Sequence, residues 1–393
     1  MRSLFFESED SIKSWLAEQG EKPFRAGQIL SWLYRPGVTS FDDMKNLPAS
    51  LRQKLTASFT FRTVEVADTQ QSPWAVKALL RLHDSETIEC VMLTDDKGRH
   101  TVCLSTQVGC AMGCRFCATG QTKSENGQCF IRNLEPEEIV EQILIFQDIL
   151  HAPNCPDGAK PHGRVEDVMS PNKPDSKMPA SNQEPTLSGA SSGSEASRIS
   201  NIVVMGMGEP ALNMDNLLLA LDALSRHLDI GARKITISTV GVVSGIEQIA
   251  QSGKQYHLAV SLHAPNDEIR NKIIPTNRGI GIQNILNAAD NFFNVTGRRV
   301  TYEYILLQGV NDTPQCAREL VQLLKKRNAL VNVIPYNEVD GLPFKRPDPS
   351  RIDEFIRILE NGSIQVQLRK EKGGRIDAAC GQLRRKTGKI SEN

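Results

Sequence analysis

Apolar positions divide the chain into three regimes. Through residue 60 they recur at helical spacing: Ile12, Trp15 and Leu16 share one face, Ile29, Trp32 and Leu33 nearly share another, and Leu47, Leu51 and Leu55 repeat at a period near four. Pro36-Gly37 breaks the chain between them, so a small helical module is expected over 1–60. From Trp74 the period shortens. Residues 75–83, 87–94 and 100–105 read as strands, separated at Asp84-Ser85 and by the turn Asp95-Asp96-Lys97-Gly98. Antiparallel strands leading into a cysteine-rich loop are expected there.

Beyond that loop, helix and strand alternate. Helical patterns at 136–150, 217–224, 246–250, 285–293, 317–326 and 352–359 interleave with strand patterns at 202–205, 234–239, 257–262, 300–307, 330–335 and 364–368. This order predicts an α/β fold with parallel strands, in an open sheet or a barrel. A partial barrel is favoured, because polar and glycine-rich segments fall at successive strand ends. Residues 152–200 interrupt the alternation with seven of the 20 Pro, nine Ser and few large apolar side chains. Such a segment buries too little surface to order itself and is expected to be a flexible surface insertion. The expected core is therefore 74–151 and 201–383, with a basic tail over 384–393.

Composition narrows the class. At 393 residues, 39% hydrophobic and 23% charged, the chain is not wholly disordered, collagen-like or coiled coil. Lys plus Arg and Asp plus Glu are 46 each, so attraction to a polyanion has to be local. Residues 369–393 are one candidate, with eight Lys/Arg against three Asp/Glu; a solvated tail reads equally well. The start, MRSLFFESEDSIKSW, has no secretory core, and no apolar run approaches the roughly 20 residues of a membrane helix, so a cytoplasmic chain is expected. Nine Cys, an odd number, then argue against a disulfide framework.

Three of those cysteines fall in Cys110-Ala-Met-Gly-Cys114-Arg-Phe-Cys117. A structural zinc site is closed by four ligands. Here no fourth Cys or His stands at finger spacing, since Cys129 is twelve residues on. Three thiolates suit a 4Fe–4S cluster that keeps one iron free of protein; a zinc knuckle or chance thiols are the alternatives. The spacing resembles the signature of radical S-adenosylmethionine (SAM) enzymes, whose partial (βα)6 barrel opens this way. That resemblance implies that SAM chelates the free iron and is cleaved to a 5′-deoxyadenosyl radical by an electron from the cluster.

Met205-Gly-Met-Gly208-Glu209-Pro210 follows a buried strand. It is not GxGxxG, so a dinucleotide reading is weak; Glu209 instead suits a cation such as the SAM ammonium, or the segment is only a tight turn. Ser238, Ser261, His263 and Asn337 occupy later strand ends, where parallel barrels place their sites. Near the C-terminus Cys380 sits among small residues, and Cys103 lies on the strand entering the cysteine loop. A buried apolar thiol is one reading of Cys380; a nucleophile with Cys103 as its resolving thiol is the other.

Taken together, CLSTQVGCAMGCRFCATG, MGMGEPALN, ISTVGVV, SLHAPNDEIR, EYILLQGVND, NVIPYN and RIDAACGQL resemble the RlmN family of RNA adenine-C2 methyltransferases, across most of 74–383. The insertion 152–200 departs from the family pattern but falls outside every motif. The resemblance implies two SAM molecules per turnover. Cys380 takes a methyl group from one and becomes S-methylcysteine. The second SAM is cleaved at the Cys110/Cys114/Cys117 cluster, and the radical activates that methyl, which adds to adenine C2. Cys103 then resolves the crosslink through a transient disulfide. Glu89, in Ile88-Glu89-Cys90-Val91, matches the family's proton acceptor, and Gly208, Glu209, Ser238, Ser261, Leu262, His263 and Asn337 match its SAM contacts. The implied substrates are adenine 2503 in the peptidyl-transferase region of 23S rRNA and the anticodon-adjacent adenine 37 of tRNAs. The 1–60 module would bind RNA, a flavodoxin-type reductant would supply electrons, and the chain would act as a monomer. Two alternatives remain: a Cfr-type adenine-C8 methyltransferase with the same cysteine set, and a non-catalytic zinc RNA-binding protein.

Overall fold

The structure, a computed structural model, describes residues 2–124, 126–151, 198–369 and 376–384. Most of the expected insertion and all but Arg384 of the expected basic tail lie outside them. At the N-terminus, helices Glu9–Glu18, Arg25–Leu33 and Ala49–Ser58 bury Ile12, Trp15, Leu16, Ile29, Leu33, Leu51 and Leu55. Ser8 caps the first helix by accepting the Ser11 N–H at 3.0 Å, satisfying a donor that a helix start leaves free. Trp32 stays at the rim of the module, donating its indole N–H to Asn46 at 2.6 Å.

Ten strands make the main sheet: β1 Val64–Ser72, β2 Ala75–Leu82, β3 Thr87–Thr94, β4 His100–Cys103, β5 Ile199–Val204, β6 Ile235–Thr239, β7 His257–Ser261, β8 Val300–Leu306, β9 Ala329–Pro335 and β10 Gln365–Leu368. Their order in the sheet is their order in the chain. From β1 to β4 the pairing is antiparallel, and from β4 to β10 it is parallel. Right-handed crossovers in an order that never reverses keep all the connecting helices on one face. A doubly wound sheet reverses its order and splits its helices between faces. The winding is thus that of a barrel wall. Among the described residues β1 and β10 do not pair with each other, so the wall they form is open.

The expected strands and helices recur within a few residues. β5 begins at Ile199, so the insertion's far border lies earlier than 200. Among the features that the pattern did not predict are an edge strand and a hairpin. β1 is mostly polar and forms an edge, where half-exposed charged side chains are usual. A short hairpin also pairs Gln107–Gly109 with Phe130–Asn133 beside the cysteine loop. No helix among the described residues is long and apolar enough to cross a membrane.

Candidate active site

The parallel strands deliver their C-terminal ends to one cavity. Cys110, Cys114 and Cys117 form one side, after β4; Gly208 and Glu209 follow β5, Ser238 lies in β6, Ser261 and His263 end β7, and Cys380 and Arg369 close the far side. Gly109 shows why the loop starts as it does. Its φ is +78°, and a Cβ there would stand 2.0 Å from the carbonyl oxygen of Cys129. That same carbonyl accepts the Cys110 N–H at 2.8 Å, which pins the first cysteine. Burial pushes the Cys110 thiol up to about 12 and raises Cys114 and Cys117 as well, so a bound cation is what would hold the three as thiolates. Among the described residues no group of three His, Cys, Asp or Glu side chains closes on a single metal ion. The three cysteines instead line a wider space. Three sulfur donors on one side, with polar strand ends opposite, fit a cluster with one open iron better than a four-ligand ion.

Glu209 is 2% exposed. Its carboxylate accepts the Ala211 N–H at 3.1 Å and the Val240 N–H at 2.9 Å, and its own N–H donates to Gln107 Oε1 at 2.8 Å. Burial raises its pKa and these donors oppose the rise. The Thr239 side chain donates as well, which leaves one of the carboxylate's roughly four lone-pair sites for a cationic ligand. Gly208 allows this approach: at φ +105°, a Cβ would meet the Gln107 side chain at 2.6 Å. His263 has a left-handed backbone, φ 58°. Burial and Arg270 push it down to about 3. Its Nδ1 accepts the Ile305 N–H at 3.0 Å, which puts the proton of the neutral ring on Nε2. Ser238 and Ser261 hydroxyls lie 3.4 Å apart on adjacent strands.

A second cavity adjoins the first. Cys103, Asn337, Ala378 and Leu383 line it, and Cys380, Arg369, Met205 and Ile334 line both. Cys380 therefore stands on the partition between Cys110, Cys114 and Cys117 on one side and Cys103 on the other. Both Cys103 and Cys380 are free thiols. Burial, then the nearby Cys380, push Cys103 up to about 12, and Arg369 works against that rise. Arg369 hydrogen-bonds the Cys380 side chain and has Glu303 close by. Glu303 in turn accepts the Asn332 amide at 2.8 Å.

Three expected site residues lie off these walls or off the expected one. Leu262 is buried in the core; its N–H donates to Glu303 O at 3.1 Å and its carbonyl accepts Arg270 Nε at 2.9 Å. Asn337 lines the Cys103 cavity, and its amide donates to the Cys380 carbonyl at 3.4 Å. Glu89 lines neither cavity: it is 1% exposed, 3.2 Å from Lys77 Nζ, and accepts the Arg384 N–H at 3.0 Å.

Sequence reasoning missed Arg369, Lys77 and Arg270. The first ends a parallel strand, and the strand-end rule applied to it. The second is a charge inside an apolar strand. Arg270 is fully buried and bonds the carbonyls of Val240, Ser261 and Leu262, tying two strand ends together; only its place in SLHAPNDEIR marked it.

Residues 4–60 match the family described as "Ribosomal RNA large subunit methyltransferase N-terminal domain", and residues 193–324 match the radical SAM superfamily. The second match begins after the cysteine loop. A probable dual-specificity RNA methyltransferase RlmN of Rhodopirellula baltica is 43% identical over 98% of this chain and 91% of its own length. That of Caldicellulosiruptor saccharolyticus is 39% identical over 98% of this chain and 97% of its own. The crystal structure of a radical SAM methyltransferase from Sphaerobacter thermophilus superposes with a TM-score of 0.80 at 35% identity, covering 98% of this chain and 99% of that one.

Proposed function

The chain belongs to the RlmN-type radical SAM RNA methyltransferases, and from that premise we propose that it methylates C2 of adenine 2503 in 23S rRNA and of adenine 37 in tRNAs. Radical SAM membership implies a 4Fe–4S cluster and SAM. Cys110, Cys114 and Cys117 would hold the cluster, and Gly208, Glu209, Ser238, Ser261 and His263 would hold SAM. Leu262 and Asn337 would act one layer out, through the strand end and the Cys380 backbone.

In this reading Cys380 attacks the methyl carbon of a first SAM, loses its thiol proton and keeps the methyl group as a thioether. With a second SAM, the cluster supplies the carbon-centred radical chemistry that activates this group, which an aromatic C2 needs because it is neither acidic nor nucleophilic. Cys380 presents the activated carbon to adenine C2; as the C–C bond forms, the adduct would return one electron to the cluster that supplied it, and Glu89 accepts the C2 proton. Cys103 then gives up its proton and attacks the Cys380 sulfur. An S–S bond forms, the C–S bond breaks, and its electron pair stays with the carbon, which takes up one proton, balancing the one Cys103 released, to become the methyl group. The 1–60 module is assigned to RNA binding, a flavodoxin-type donor to electron supply, and the active unit is a monomer.

The observation that carries this reading is the position of Cys380, on the partition between the cluster cysteines and Cys103. An anaerobic assay with labelled SAM, reductant and defined RNA, followed by nucleoside analysis, tests it. The expected product is 2-methyladenosine. Formation of 8-methyladenosine alone moves the chain to the Cfr-type reaction, and failure to cleave SAM after iron–sulfur reconstitution rejects the mechanism.

A further inference from the structure

A lysine inside an apolar strand requires an explanation. Lys77 of β2 is 5% exposed, and its Nζ lies 3.2 Å from Oε1 of Glu89 on β3, itself 1% exposed. Removing two charges from water costs more than a well-packed apolar pair would, so such an ion pair is a poor device for stability alone. Both partners direct their remaining hydrogen bonds to one segment. Lys77 Nζ reaches the carbonyl oxygen of Asp377 at 3.4 Å, and Glu89 Oε2 accepts the N–H of Arg384 at 3.0 Å. Cys380 lies between those two anchor points. Asp377 has a left-handed backbone, φ 49°, which a non-glycine residue adopts only when its surroundings hold it. The middle of the segment rests on the short helix after Cys117, through Ala118 N–H to Gly381 O at 2.8 Å and Thr119 Oγ1 to Leu383 O at 2.5 Å.

We propose that Lys77 is a positioning residue: with Glu89 it forms a buried clamp on both ends of the 377–384 segment, and this clamp sets the Cys380 sulfur between the cluster loop and Cys103. The proposal rests on reading Cys380 as the methyl carrier and gives Glu89 a second task beside proton acceptance. Without the Lys77 charge, Glu89 is left buried and unpaired, and both anchor points weaken. Cys380 then leaves its position while the cluster cysteines keep theirs. SAM cleavage continues, but fewer cleavages end in a methylated base.

The test uses cluster-loaded enzyme with unmethylated Cys380 and three variants: Lys77→Met, Lys77→Arg and the double variant Lys77→Met/Glu89→Gln. Anaerobic alkylation by N-ethylmaleimide is read on the Cys380 peptide by mass spectrometry. Opening of the segment is expected to speed alkylation at least about tenfold in Lys77→Met. The double variant, which buries no charge and so guards against misfolding, is expected to do the same, and Lys77→Arg to restore most of the protection. The ratio of 5′-deoxyadenosine to methylated adenine is expected to rise in Lys77→Met. Wild-type alkylation rates in both Lys77→Met and the double variant would overturn the clamp. Alkylation requires neither RNA nor turnover, so this failure is distinct from failure of the methyl-carrier reading, which is seen as methylation by Cys380→Ala.

Discussion

The loop bearing Cys110, Cys114 and Cys117 is held mainly by neighbours in sequence, with one distant backbone anchor where Ile273 O accepts the Arg115 N–H at 2.9 Å. The segment bearing Cys380 is held by residues from distant strands. In the first, Cys117 N–H donates to Cys114 O at 3.2 Å, Gln121 donates to the Gly113 and Cys114 carbonyls at 3.2 Å, and Cys129 O holds Cys110. In the second, Lys77, Glu89, Ala118, Asn337 and Glu338 supply the contacts. Under the proposed function, the difference separates two kinds of catalytic part. A cluster site has to keep its ligands fixed, and short-range bonds do that cheaply in entropy. A carrier has to face two partners in turn, so its position is set by the assembled sheet.

Breaking each part in turn should expose the difference most sharply. Cys114→Ser is expected to lose iron, SAM cleavage and methylation together. Cys380→Ala is expected to retain iron and abolish methylation; residual turnover well above roughly one part in a million, the scale left when a reacting nucleophile is removed from a hydrolase, would argue against a covalent carrier. Iron analysis and nucleoside mass spectrometry read both. Next, Cys103→Ala is expected to stop after carrier and base are joined, accumulating a protein–RNA adduct that denaturing gels resolve. Free RNA product at the wild-type rate would remove Cys103 from the reaction.

The same contrast governs what could be read from the chain. The cysteine trio was legible because its spacing is local and its chemistry needs few other groups. The parallel strands were legible because each carries an apolar run followed by glycine or polar residues. β1 was not, since VEVADTQQS is an edge strand whose exposed side chains mask its pattern. Arg369 and Lys77 were missed because their roles arise only when β2, β3 and β10 bring the C-terminal segment to them. Resemblance named Leu262 and Asn337 as SAM contacts, but their side chains lie behind or beside that wall.

Smaller effects sharpen the contrast further. Arg369→Met removes the cation that bonds the Cys380 side chain and interacts with Cys103. A hydrogen bond to a charged group contributes about 1.5–3 kcal/mol, which corresponds to about 10- to 100-fold in rate. Burial already holds Cys103 at about 12, and Arg369 lowers it, as does a hydrogen bond from the Met205 backbone. Loss of Arg369 raises that thiol further. Adduct resolution, which needs the thiolate, should then rise with pH and lie displaced to higher pH in the variant; an unchanged profile would deny Arg369 this role. Smallest is Gly113→Ala, where φ is +61° and a Cβ meets open space, so that backbone strain of about 1–3 kcal/mol should lower thermal stability and iron retention together. Because it acts at the tip of the cysteine loop, away from the Ala118 and Thr119 bonds to 381–383, N-ethylmaleimide reactivity at Cys380 should stay close to wild type.

The central claim is that the transferred carbon passes through Cys380. Enzyme whose Cys380 has been premethylated from deuterated SAM, then given RNA, reductant and unlabelled SAM for one turnover, tests it directly. The methyl group of the first 2-methyladenosine should carry the protein-derived deuterium. A first product bearing only the fresh, unlabelled methyl would contradict the account.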